Sequence, residues 1–280
     1  MMLKLAGFTD EISPDLDEQI AFCRETGITH LELRGVENRN VLDFDPPLRQ
    51  KIKSRLSAAG LGVVCIGSPI GKVKISDPWE PHFQRFTIAV ELAEFFAAPL
   101  IRVFSYYAPE GETGNVLPHR DEVLRRFREK LKYLQNRPLT LVHENEKHIY
   151  GAKTEQCVDL MRTIDSPQLR SAFDFANFIQ EQVNPADAWP LLKPYTAHIH
   201  IKDARLADGQ VVPAGQGDGH IPQILLDAYR SGYRGFLSLE PHLAAAKQFS
   251  GFSGPHLFKI AVDALKQLCV DNGIPLAAPR

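Results

Sequence analysis

The sequence predicts an α/β protein, a single (β/α)8 TIM barrel spanning residues 1–280. Three observations carry that expectation. Short apolar runs alternate with longer amphipathic segments from one end of the chain to the other, giving eight strand–helix units in strict order. An open doubly wound sheet normally uses fewer units, and no glycine-rich dinucleotide turn follows the first run. Neither a shift in composition nor a linker divides the chain into two parts.

The elements follow from local signals. LKLAGF (3–8) reads as a strand, and Ser13-Pro14 opens a helix that runs to about Thr26 and stops at Gly27. ITHLELR (28–34) is the second strand, followed by a helix over 46–59 closed by Gly60. LGVVCIGS (61–68) leads to a helix over 79–97, and PLIRVFS (99–105) to a charged helix over 119–136. LTLVHEN (139–145), a helix over 154–165, LRSAFDF (169–175) and a helix over 185–193 continue the alternation. YTAHIHIKD (195–203), a helix over 220–231, GFLSLEPH (235–242) and a helix over 255–272 complete it. Pro, Ser, Asp and Gly fall where helix starts and stops need them.

Bulk properties narrow the function. With 44% hydrophobic and 24% charged residues the composition is that of a globular domain. Lys+Arg (32) and Asp+Glu (34) nearly balance, for a formal charge of −2. A duplex binder needs a basic face to displace counterions, so nucleic acid is not the expected partner. The basic clusters KIKSR (51–55) and RRFREK (125–130) read as solvated helix faces. Four scattered cysteines show no ligand spacing and are expected as reduced thiols. No leader pattern and no membrane-length apolar run stand out, so a cytoplasmic protein without membrane contact is expected.

In such a barrel, reactive groups project from the C-terminal ends of the strands. Strand five ends in Glu144, six in Asp174, seven in His200 and eight in Glu240. Side chains alternate along a strand, so Thr140, Val142 and Glu144 share a face, as do Ala172 and Asp174. His198, His200 and Lys202 form a third such set, and Phe236, Ser238 and Glu240 a fourth. Three carboxylates can converge without prohibitive repulsion if they share a divalent cation. Three oxygens and one nitrogen suit Mn²⁺ or Mg²⁺, with Co²⁺ or Zn²⁺ as alternatives.

HENE (143–146), FDFAN (173–177), HIHIKD (198–203), AGQGDG (214–219) and SLEPH (238–242) together resemble the xylose-isomerase-like TIM barrel superfamily. Within it they are similar to the sugar phosphate isomerase/epimerase branch, which includes ketose 3-epimerases, hydroxypyruvate isomerases and inosose dehydratases. The resemblance runs from the first strand to the eighth. It implies that Glu144, Asp174, His200 and Glu240 hold one divalent metal ion. It also implies that Glu144 and Glu240 exchange a proton with the substrate from opposite faces. The implied reaction is isomerisation or epimerisation of a sugar or related hydroxy-carbonyl compound through an enediolate. Dehydration of a keto-polyol such as an inosose is the alternative, and a non-catalytic sugar-binding barrel a more remote one. An endonuclease-IV-like nuclease would need more histidines and a basic face.

Expected substrate contacts are Glu32, which resembles a substrate-contacting Glu of relatives, together with Glu146, Asn177, Lys202 and Arg205. The ketose epimerases carry a histidine where Asn177 stands and an arginine where Leu206 stands, one position beyond Arg205. Free-ketose 3-epimerisation is therefore not the specific expectation. His198 is expected one layer deeper than the ligands, Arg102 beside a buried carboxylate, and His143 toward the helices. The AGQGDG loop reads as a glycine turn rather than a phosphate cradle, because Asp218 would repel an anion. By analogy with relatives that form dimers or tetramers, a homo-oligomer is expected.

Overall fold

The computed structural model describes residues 2–112, 116–244 and 252–277. Eight parallel strands close into a barrel: β1 (Lys4–Gly7), β2 (His30–Leu33), β3 (Gly62–Ile66), β4 (Leu100–Val103), β5 (Thr140–Glu144), β6 (Leu169–Asp174), β7 (Thr196–Ile201) and β8 (Phe236–Leu239). Each strand pairs with its neighbours in sequence, and β8 closes on β1 with Lys4 opposite Phe236 and Gly7 opposite Leu239. Around it lie α1 (Leu16–Thr26), α2 (Pro46–Ala58), α3 (Trp79–Phe96), α4 (Arg120–Leu134), α5 (Thr154–Ile164), α6 (Phe175–Gln180), α7 (Pro185–Leu192), α8 (Ile221–Arg230) and α9 (Gly254–Asp271).

The expected helix starts shift where a better cap lies nearby. The first helix begins at Leu16 rather than Ser13, because the Asp15 side chain accepts from the amides of Asp17 and Glu18. Gly27, at φ 70°, ends it in the left-handed conformation expected of a glycine stop. Asp45 caps α2, with prolines in its first turn. The short helix α6, directly after β6, was not expected from the sequence. It forms because Asp174 caps it through a bond from the Asn177 amide (2.7 Å).

Two apolar layers result. Outward side chains such as Leu31, Ile101, Leu141, Phe173, Ile199 and Leu237 join the helices in one continuous core. Inside the barrel a smaller cluster contains Ala6, Val64, Cys65, Val142 and Ala172. The alanines leave room for polar groups one layer above and around them. As expected, His143 faces outward: its Nε2 lies 2.9 Å from Ser105 Oγ and its ring packs on Phe127 of α4.

Among the described residues no helix is long and apolar enough to cross a membrane.

Candidate metal centre

The four strand-end residues converge at the barrel mouth. Glu144, Asp174, His200 and Glu240 each offer a ligand atom, and these atoms all lie within 4.8 Å of one another. From His200 Nδ1 the distances are 3.4 Å to Glu144 Oε1, 3.9 Å to Asp174 Oδ2 and 4.0 Å to Glu240 Oε2. A hard divalent cation holds its ligands at about 2.1 Å, so neighbouring donors around it sit about 3–4 Å apart.

Two buried atoms make the fit specific. Asp174 Oδ2 and His200 Nδ1 both lack a hydrogen-bond partner although they are shielded from solvent. Buried polar atoms are normally satisfied, and a shared cation would satisfy both. Each of these residues has its other polar atom already engaged. Asp174 Oδ1 caps α6, and His200 Nε2 lies 3.2 Å from Glu32 Oε2.

The surrounding groups hold the carboxylates apart and charged. Arg102 donates from Nη1 to Glu144 Oε2 (3.0 Å) and from Nη2 to the Gly67 carbonyl. Arg34 donates to Glu240 Oε1 (3.1 Å) and to Asp10 Oδ2 (2.7 Å). Both guanidinium groups stack on Phe8, at 4.6 and 4.7 Å from its centroid, and the edge of the same ring meets His200. The Lys202 ammonium sits 2.9 Å from Asp174 Oδ2 and 3.0 Å from Glu240 Oε2. Asp174 Oδ2, without a hydrogen-bond partner, thus has the Lys202 ammonium as its countercharge.

These contacts set the protonation states. Burial pushes the Glu240 carboxyl up, but Lys202, His242 and Arg102 outweigh it and hold it well below the usual range. Burial likewise opposes the charged form of Glu144, and His200 and Arg102 overcome it. Asp174 is raised to about 6, by burial and by the charges of Glu144 and Glu240, with Lys202 pulling the other way. A cation at this point would lower it again.

Of the expected substrate contacts, three border the cluster and two do not offer themselves to a substrate. Lys202 lies within it. Asn177 is adjacent but turned to Glu144, donating from Nδ2 to Oε1 (3.1 Å) and to the Asn145 carbonyl. Glu146 stands on the rim paired with Lys72 (2.9 Å), whose charge, with those of Lys202 and Lys147, outweighs burial and holds it at about 2. Glu32 is instead fully buried below the ligands, because strand stagger in a closed barrel puts residues of one parity at different heights. Arg205 turns into its own loop, where it pairs with Asp208 (3.0 Å) and Gln210.

Sequence reasoning missed Phe8, Arg34, Asn145 and His242. Arg34 shares the parity of Glu32, and His242 that of Glu240, so alternation alone could have nominated them. Asn145 carried no such signal. Its side chain clamps β5 to β6 by accepting from the Asp174 amide and donating to the Asp174 carbonyl, both at 2.9 Å.

A closed (β/α)8 barrel with an oxygen-rich cluster able to hold a metal at its C-terminal mouth defines the class. Within that class the chain belongs to the xylose isomerase-like TIM barrel family, whose family model matches residues 20–268. A curated relative, a 3-dehydroshikimate dehydratase of Bacillus anthracis, is 21% identical over 205 residues, covering 73% of this chain and 69% of the relative. The crystal structure of a D-tagatose 3-epimerase-like protein matches with a TM-score of 0.76 at 16% identity, covering 98% of both chains. That of a barrel protein from Mycobacterium smegmatis in complex with magnesium matches at 0.69 and 16% identity, covering 96% of this chain and 98% of the other. Members of the family are enzymes, and epimerases and a dehydratase stand among the similar proteins.

Proposed function

We propose that the chain is a divalent-metal-dependent isomerase or epimerase that moves a proton beside the carbonyl of a small polyhydroxylated compound. The observation that carries this reading is the convergence of Glu144, Asp174, His200 and Glu240, with Asp174 Oδ2 and His200 Nδ1, both without a hydrogen bond, 3.9 Å apart. Mn²⁺ or Mg²⁺ suits the donors best. When bound, it would supply a Lewis acid that acidifies the C–H next to the substrate carbonyl.

The chain's own residues account for the rest. Glu144 and Glu240 project from different strands, each with one oxygen toward His200 and the other gripped by an arginine. Both are held ionised, so either can take a proton from carbon, leaving the electron pair on an enediolate. The other carboxylate can return a solvent-derived proton from the opposite face. Lys202 places positive charge where the oxyanion develops.

Dehydration of a keto-polyol or keto-acid is the second reading. It shares the first proton removal and then expels a β-hydroxyl as water. Its support is the dehydratase relative, and the fact that Asn177 is bonded to Glu144 while Arg205 pairs with Asp208 in its own exposed loop.

The test is mass spectrometry of Mn²⁺-loaded protein in D₂O with ketoses, inososes, 3-dehydroshikimate and other hydroxy-carbonyl acids. Metal-dependent deuterium uptake without loss of water is the expected result, and Glu240→Gln should slow it by at least about 100-fold. Loss of water would move the reading to the dehydratase. Absence of exchange on every compound, with metal demonstrably bound, would sink both.

A further inference from the structure

Beneath the ligand cluster lies a second buried group of polar side chains, joined to it through His200, whose other members the proposed chemistry does not use. Glu32, His198 and His200 are all fully buried. The Glu32 carboxylate lies 2.7 Å from His198 Nε2 and 3.2 Å from His200 Nε2, and Ser238 Oγ donates to it at 2.7 Å. Its partners therefore come from β7 and β8, the strands that lead to His200 and Glu240. The pairing of β2 with β3 is irregular between Leu31 and Glu32, at the residue that supplies this carboxylate.

We propose that Glu32 is a positioning residue: it fixes the ring and tautomer of His200, so that Nδ1 presents its lone pair to the metal ion. This rests on the metal-centre reading above. An imidazole ligand needs one bare nitrogen, and the partner of its other nitrogen decides which. A carboxylate accepts from the imidazole N–H that it faces, so the neutral ring carries its one proton on Nε2 and leaves Nδ1 bare. Nδ1 is the atom that lacks a partner and faces the three carboxylates. The edge of Phe8, 5.3 Å from the His200 ring, restrains it from the other side.

A role in stability alone accounts poorly for the arrangement. Buried ion pairs often contribute little beyond what well-packed hydrocarbon would, and apolar Ala6, Val142 and Ala172 already occupy the barrel interior. Both Glu32 oxygens are already engaged, by His198, His200 and Ser238, rather than turned to the mouth.

The experiment is calorimetric titration of metal-stripped protein with Mn²⁺, for the wild type, Glu32→Gln and Ser238→Ala. Glutamine fills the same space but can donate as well as accept, so it tolerates either tautomer. Glu32→Gln should weaken Mn²⁺ binding about 10- to 100-fold, and Ser238→Ala by a few-fold. In parallel, nitrogen-15 histidine spectra of the Mg²⁺-loaded wild type should show His200 protonated at Nε2. Should Glu32→Gln fail to fold, Ser238→Ala and the wild-type spectra carry the decision. Wild-type affinity in both variants, or a proton on Nδ1, would overturn the inference and leave the metal centre standing. A wild type that binds no divalent ion would overturn both.

Discussion

His82 shows how a single buried side chain outside the strand-end cluster can set the acid stability of the fold. It sits in α3 with Nε2 unpartnered, its ring against Tyr106. Burial, with Lys130 and Arg126 nearby, lowers it from 6.5 to about 3. The folded protein therefore keeps His82 neutral, while the unfolded chain takes up a proton below pH 6.5. Its contribution is intact above that pH and is lost as pH falls toward about 3. His82→Phe should flatten this acid limb by up to about 1.4 kcal/mol per pH unit, measured by urea unfolding at a series of pH values. At this scale the four ligand-type residues were legible, because alternation and the rule of strand ends both point to them. Glu32 was not legible as a buried group. Parity gives the face of a strand, whereas height in the barrel depends on stagger that one strand does not encode.

Among the elements, the loop after β7 has the clearest internal logic. Asp203, fully buried, accepts backbone bonds from Ala204, Gly215, Gly217 and Gly219 at 2.8–3.1 Å. Those amides are spent on a carboxylate of the chain itself and are not left for a substrate phosphate. Gly217 has no alternative residue, since a Cβ there would run into the Ala204 carbonyl oxygen. Asp203→Asn would set an amide N–H against these donors and should cost on the order of 3 kcal/mol. Chemical denaturation measures that cost, and faster proteolytic cutting within 214–219 would show that the loop is what loosens. The sequence revealed this segment as a glycine turn but not the aspartate that organises it. The main helices and strands were readable from their periodicity. Helix α6 and the two-residue ribbon joining 203–204 to 211–212 were not, being too short to display a period.

For the whole molecule, the candidate metal centre gathers side chains from four strands at one point. A divalent ion bound there would stabilise the folded barrel by mass action, about 2.7 kcal/mol when free metal is 100 times its dissociation constant. For a chain of this length that corresponds to a rise of roughly 5 °C in Tm. Calorimetric scans with Mn²⁺ and after EDTA treatment should differ by that amount. Glu240→Gln should show a smaller difference, because it removes one anionic ligand.

At the opposite end of the barrel the two ends of the described chain are joined. Leu3 donates to the Pro275 carbonyl at 3.0 Å, and Ala277 donates to the Leu3 carbonyl at 2.7 Å. The barrel is therefore nearly a ring in connectivity as well as in shape, and its order of synthesis is separable from its architecture. A circularly permuted chain, with a short linker across this clasp and new termini at the exposed turn around Gly60, would retain all eight strand–helix units. The break would fall on the face remote from the ligands, so folding order could be varied while the chemistry was held constant.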